Sequence, residues 1–329
     1  MDNIYTILIN ISPSIVSFIL TFLLLYFMPF GKALLGADRG RKFAVGSEVN
    51  IGKPTGVGFY FVLVIAFVII GYRYMEIEII FLMALLLAAM MTGFLDDRSK
   101  TPWNEYIKGA LDFVIAIFGA LIATIYFPKD VIIGLTGTTV HIPTPVYFIL
   151  AVMLIIVSIN ATNATDGVDG LSGSLTIVAV FAVNLLSVIH KTISPTSLTI
   201  CEVVIGTLFA YLIFNFYPSK MLMGDAGSRA LGLLIAIYVM YVNIPFAYLV
   251  VGLPFILDGG LSILKITIGR LTKKKVIILK NTLTPIHDNM KKRKGFSVPQ
   301  TTLFIVACAL VFDVIYIGLI ILLRRLGVS

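Results

Sequence analysis

The chain has 329 residues, 59% of them hydrophobic and 13% charged, with a mean hydropathy of +1.02. Soluble domains are roughly 45–50% apolar and about 25% charged, so this composition excludes a water-soluble enzyme, a disordered chain and a disulfide scaffold. The net charge of +8 matters by its placement rather than its sum, and gives no ground for a nucleic-acid partner.

Spent on helices of about 20 residues plus loops, this length accommodates roughly ten membrane spans in a single polytopic domain, 1–329. Apolar runs predict helices over 12–30, 56–72, 79–95, 109–127, 145–160, 171–189, 199–216, 229–243, 245–264 and 302–323. The first run has no basic segment ahead of it, only Asp2, and no small-residue cleavage site, so it reads as a retained span. Between the fourth and fifth runs, segment 128–145 predicts a short β-hairpin, with Val131–Ile133 and Thr139–Ile142 flanking Gly134 and Gly137. The eighth and ninth runs are parted only by Asn243–Pro245, which makes nine spans the alternative. The long segment 265–301 mixes basic residues with Leu and Ile spacing that suits a helix lying on an anionic leaflet. Cys201 and Cys308 sit in apolar runs and say nothing about redox compartment.

All but five of the 25 Lys and Arg fall in loops on one side of this pattern, including Lys32, Arg41, Lys42, Lys53, Lys100, Lys108, Arg229 and the whole run from Lys265 to Lys294. The five exceptions are Arg73, Lys129, Lys191, Arg324 and Arg325. Positive-inside bias makes the rich side cytoplasmic and puts both termini outside.

Acids are few, so their grouping is informative. Asp96, Asp97, Asp166, Asp169 and Asp225 all fall near the cytoplasmic ends of predicted helices. Adjacent Asp96 and Asp97 suit a metal ligand or a general base, or simply end a solvated helix beside Arg98 and Lys100. Asn160 to Gly173 carries two Asp-Gly steps, at Asp166 and Asp169, with Asn160 and Asn163 ahead of them. Such a turn leaves backbone N–H groups free for phosphate oxygens. Gly224-Asp-Ala-Gly-Ser228 opens an apolar helix that Asp225 or Ser228 could N-cap, and whose free N–H groups make an anion site. His287 precedes the Lys291–Lys294 basic run, which serves topology or recruits phosphate. Lys108 and Asp112 are spaced to pair along a helix, unless Lys108 turns to the acidic clusters. Asp258 interrupts an apolar run and should face protein or water, not lipid. No His/Cys spacing suits zinc and no P-loop is present; Asp with Asn is a hard oxygen set that favours Mg²⁺ or Mn²⁺. With Lys at a membrane face, that set suggests phosphate chemistry.

The segments Gly93-Phe-Leu-Asp-Asp97, Asn160 to Leu171, Phe214-Asn215, Met223-Gly-Asp-Ala-Gly-Ser228 and Thr284-Pro-Ile-His287 together resemble the polyprenyl-phosphate N-acetylhexosamine-1-phosphate transferase superfamily. The resemblance is closest to its phospho-N-acetylmuramoyl-pentapeptide transferase family, and Gly52-Lys-Pro-Thr55 resembles that family's Gly-Thr-Pro-Thr segment. Order, intervals and span count agree over nearly the whole chain. The resemblance implies attack of undecaprenyl phosphate on UDP-MurNAc-pentapeptide, giving lipid I and UMP for peptidoglycan synthesis at the bacterial cytoplasmic (inner) membrane. It implies Mg²⁺ on Asp225, Asp96 as base or positioning group with Asp97 beside it, and a homodimer. Asn163, Asp166, Asp169, Asn215 and Ser228 would line the uridine and diphosphate site, with Lys108 on phosphate.

The chain departs from that pattern at several places. The family has three consecutive histidines; here His287 is followed by Asp288 and Asn289, so the later two have no role to play. Leu222 stands where a Phe often stacks on uracil, Lys265 where a Gln is common at the nucleoside pocket, and Asn50 where a Lys is usual, with Lys53 as its substitute. These departures keep open a UDP-GlcNAc:polyprenyl-phosphate GlcNAc-1-phosphate transferase. An ion-coupled transporter would hold its carboxylates near the midplane, where only Asp258 and Glu202 are candidates.

Overall fold

A computed structural model of the chain describes residues 12–27, 34–40, 47–73, 75–276 and 278–327. Asp2, Lys32, Arg41, Lys42 and the end of the first apolar run lie outside the described residues.

Helices α1 (Pro13–Phe27), α2 (Gly58–Arg73), α3 (Ile77–Arg98), α4 (Glu105–Tyr126), α5 (Thr144–Thr165), α6 (Leu171–Ile189), α7 (Pro195–Asn215) and α8 (Gly224–Tyr241) run back and forth through one bundle. After a break come α9 (Tyr248–Val251), α10 (Leu253–Phe255), α11 (Leu261–Leu271), the basic α12 (Ile286–Lys294) and the long α13 (Val298–Arg325). Six of these, α3 to α7 and α13, are long and apolar enough to cross a membrane. Pro245–Val251 and Leu253–Leu271, bent by 57°, make a seventh if they count as one span. The expected ten is therefore not established: α1 and α2 are apolar but short, and α8 carries Asp225 and Arg229 in its opening turns.

Helix ends follow from local chemistry. Asn104 accepts from the Ile107 N–H at 2.8 Å and starts α4. Reciprocal capping pairs, Ser194 with Ser197 and Ser297 with Gln300, start α7 and α13 with a proline in the first turn.

Helix α8 is the axis of the fold, with every residue from Gly224 to Met240 buried. It is less apolar than the helices around it because protein, not lipid, surrounds it, and most of its polar groups find protein partners. Ser158 of α5, for example, donates to the Gly232 carbonyl at 2.6 Å. Outer helices show the reverse: Leu303, Phe304, Val314 and Ile315 of α13 are exposed. A wide apolar surface of this kind suits lipid rather than water.

The expected hairpin forms, with β3 (Asp130–Ile132) antiparallel to β4 (Thr139–His141) and Asp130 opposite His141. The Ile132 N–H donates to the Asn243 carbonyl at 3.0 Å, which pins the hairpin to the end of α8. A smaller ribbon, β1 (Gly36–Ala37) with β2 (Pro54–Thr55), lies at the opposite end of the bundle. A helix does form within segment 265–301, as its spacing suggests, and the preceding one runs further into it than expected. Helix α11 continues to Leu271 rather than stopping near 264, and α12 forms within the segment.

Candidate active site

At one end of the bundle the C-termini of α3, α5 and α7 meet the N-termini of α4, α6 and α8. The acids that the sequence groups near helix ends are thereby brought together. Glycines permit the approach. A Cβ on Gly93 of α3 would lie 2.3 Å from the Asp225 carbonyl, and one on Gly58 of α2 would lie 2.1 Å from the Gly227 nitrogen. Three helix backbones thus touch where α8 begins.

Asp97 accepts from the backbone N–H groups of Asp225 and Ala226, both at 3.0 Å. Helix α8 is therefore capped by a carboxylate from α3, not by Asp225 or Ser228 as the sequence suggests. The negative charge sits against the positive end of the helix dipole. This contact fixes the backbone from which the Asp225 side chain extends.

Lys108, from the first turn of α4, pairs with both Asp96 and Asp225, the latter at 2.8 Å. Asp96 also accepts the Trp103 N–H at 2.6 Å. Asn163 donates to Asp225 at 3.0 Å and to Ser228 at 2.9 Å, and Ser228 donates to the Gly224 carbonyl. Asp96 and Asp225 are each less than a tenth exposed. One ammonium thus balances two desolvated carboxylates. Asp112 does not pair with Lys108; it takes a buried ion pair with Arg229 of α8, and Asn160 faces it at 3.4 Å. Arg229 is therefore a packing partner and not one of the solvated topology charges it resembles in the sequence.

Beside this network opens a cleft of about 280 Å³ lined by Asp166, Asp169, Asn215, Leu222, Gly224 and Lys291, with Asn50 and Thr55 on its near wall. Asp169 accepts the Ser219 N–H at 3.0 Å, while Asn215 accepts from Gly170 N–H and donates to the Met221 carbonyl, both at 2.9 Å. Those bonds lock the 166–170 turn to the segment before α8. Lys53 donates to Asn50 at 2.7 Å and to Ser219 at 2.9 Å.

Below the cleft, His287 is clamped by Asp258. One carboxylate oxygen takes the His287 backbone N–H and the other faces Nδ1, both at 2.7 Å. Asp258 sits in a π-helical turn, Ile256–Gly260, and both side chains are about 3% exposed. A Cβ on Gly167 would lie 2.5 Å from His287 Nε2, so the imidazole edge abuts the Asp166–Gly167 turn. Asp288 pairs with Lys291 at 3.0 Å.

The structure thus gathers Asp96, Asp97, Lys108, Asn163, Asp225 and Ser228 in one network, and Asp166, Asp169, Asn215 and Leu222 at the adjoining cleft, with Lys53 held behind its wall by Asn50. Lys265 is not among them. Its ammonium donates to the carbonyls of Leu279 and Thr282, at 3.0 and 2.8 Å, because α11 runs on past it and folds the 279–282 loop over its side chain. Lys291 lines the cleft and Asp258 holds His287 beside it, two placements that the sequence does not specify. The signal that marks Asp258 is an acid interrupting an apolar run, followed by Gly259 and Gly260.

Residues 79–243 match glycosyl transferase family 4. The chain is 34% identical over 295 residues to a phospho-N-acetylmuramoyl-pentapeptide-transferase of Treponema pallidum, covering 84% of this chain and 80% of that one. It is 26% identical over 325 residues to the protein of that name in Clostridium acetobutylicum, covering 96% and 99%. A third, from Lactobacillus helveticus, is 29% identical over 293 residues, covering 86% and 87%.

Proposed function

The chain belongs to the phospho-N-acetylmuramoyl-pentapeptide-transferase family, within glycosyl transferase family 4, and from that premise we propose the reaction it performs. It transfers phospho-MurNAc-pentapeptide from UDP-MurNAc-pentapeptide to undecaprenyl phosphate, releasing UMP and leaving lipid I. The observation that carries this reading is the Asp96–Lys108–Asp225 network beside the cleft, at one end of a lipid-facing bundle. A water-soluble nucleotide-sugar and a membrane-held phosphate can both reach such a place.

In this reaction an oxygen of the lipid phosphate attacks the phosphorus bonded to the sugar. The new P–O bond forms as the bond to UMP breaks, and UMP leaves with the electron pair. Asp96 stands ready to take a proton from the lipid phosphate or to orient it. Lys108 supplies positive charge for the phosphoryl oxygens. Asp97 acts through Asp225, whose backbone it holds. The 166–170 turn and Asn215 form the nucleotide wall.

The donor set suits magnesium. Among the described residues no three acidic, His or Cys side chains converge to hold a metal by themselves. Mg²⁺ instead binds through one or two carboxylates with waters and substrate phosphates. Asp225, with Asp96 across Lys108, offers that partial set. When bound, the ion would neutralise diphosphate charge and polarise the phosphorus under attack. The protein works as a multi-pass homodimer in the bacterial cytoplasmic membrane, with this face in the cytoplasm and both termini outside.

Purified protein given undecaprenyl phosphate and Mg²⁺ should release UMP from UDP-MurNAc-pentapeptide. Leu222 in the cleft and the Asp288–Asn289 pair favour testing UDP-GlcNAc alongside; release from that sugar alone would transfer the chain to GlcNAc-1-phosphate chemistry. EDTA should stop turnover and added Mg²⁺ restore it, and turnover that persists in EDTA would remove the metal from the account.

A further inference from the structure

The basic run Lys291–Lys294 looks uniform in the sequence, but the fold treats its first member differently. Lys292, Arg293 and Lys294 are exposed, and Arg293 bonds to the Asn281 carbonyl. Lys291 is nearly covered, with a side chain 10% exposed, and lines the cleft with Asp166, Asp169, Asn215 and Gly224. Its ammonium lies 3.0 Å from Asp288, one turn earlier on the same face of α12. Helix α12 is itself fixed by the Asp258 clamp on His287, so the Lys291 side chain starts from a rigid base.

The charges around the cleft give this position its meaning. Among the described residues that line it, the acids are Asp38, Asp166 and Asp169, and Lys291 is the one cation. Lys53 is near but spends its protons on Asn50 and Ser219. A nucleoside diphosphate entering this cleft brings two negative charges into acidic surroundings and needs a cation on the wall.

We propose that Lys291 is a substrate-binding residue whose ammonium takes an anionic oxygen of the nucleotide-sugar's diphosphate, and that Asp288 is the positioning residue that holds it there. The substrate named here rests on the transferase reading above; the binding site does not. The same ammonium could in chemical terms meet the lipid phosphate, and the kinetic arms separate the two.

The test measures KM for each substrate, and kcat, for Lys291→Gln, Lys291→Arg and Asp288→Asn, with thermal midpoints in detergent as the folding check. UDP binding to each purified protein is followed by calorimetry without turnover. Lys291→Gln should raise the KM for UDP-MurNAc-pentapeptide and weaken UDP binding about tenfold or more, the scale of one lost charge-assisted hydrogen bond. The KM for undecaprenyl phosphate should stay within about twofold, while the midpoint falls because Lys291→Gln removes the charge opposite the buried Asp288 carboxylate. Lys291→Arg should recover most of the loss, and Asp288→Asn should fall between. An unchanged nucleotide KM and UDP affinity in Lys291→Gln overturns the proposal, as does a shift confined to the lipid substrate. If the wild-type chain turns over no UDP-sugar, the transferase reading fails, while loss of UDP binding in Lys291→Gln still decides this one.

Discussion

Asp225 and Asp97 face the same helix N-terminus but do different work, and substitution should separate them. Asp225→Asn keeps the shape and removes the charge, so it should cut kcat by about 10²-fold or more while leaving the thermal midpoint near that of the parent. Asp97→Ala removes the acceptor for two N–H groups at the start of α8. It should cost about 1 kcal/mol of stability, as lost caps do, and lower kcat because the backbone that carries Asp225 is no longer fixed. A midpoint unmoved by Asp97→Ala would contradict the capping role. Asp258→Ala leaves two buried donors of His287 without an acceptor, a loss of about 1–3 kcal/mol. That variant should melt lower and turn over more slowly, and a parent-like midpoint would show that the clamp is not formed.

At the scale of elements, backbone approach governs. Gly93→Ala drives a methyl into the Asp225 carbonyl and should cost about 1–3 kcal/mol, whereas Gly71→Ala on α2 meets open space and should be neutral. Equal midpoints for the two variants would refute the close contact between α3 and α8. Removing one partner of the buried Asp112–Arg229 pair should cost about 3–5 kcal/mol, and removing both together much less. Additive losses in the double variant would show that α4 and α8 are not joined there. These contacts also mark where the sequence stops being readable. Polar residues are so scarce that Asp96, Asp97, Asn163, Asp166 and Asp225 stand out by composition alone, and the hairpin is visible in its glycines and prolines. Which partner each group takes is not visible, since Lys108 and Asp225 lie 117 residues apart, as do Asp112 and Arg229. Periodicity says that α8 is a helix, but its central place arises from packing on α3 and α5, which glycines allow and no local pattern announces.

At the scale of the whole molecule, the bundle has two unlike ends. One carries the acids, the cleft and most of the Lys and Arg; the other carries Arg73 bonded to Thr199, the β3–β4 hairpin, and Arg324 bonded to His190. In a chain freed of Cys201 and Cys308, a cysteine at Lys191 should react with a membrane-impermeant thiol reagent in intact cells, and one at Lys280 only after lysis. The reverse pattern would invert the topology. Whether the clustered acids at one membrane face join a nucleotide-sugar to a lipid phosphate is decided by the identity of the product. Protein reconstituted in vesicles with undecaprenyl phosphate, Mg²⁺ and UDP-MurNAc-pentapeptide should form a lipid whose mass is that of undecaprenyl-diphospho-MurNAc-pentapeptide, and Asp225→Asn should form next to none. No such lipid from the parent protein, or equal amounts from both, would contradict the account.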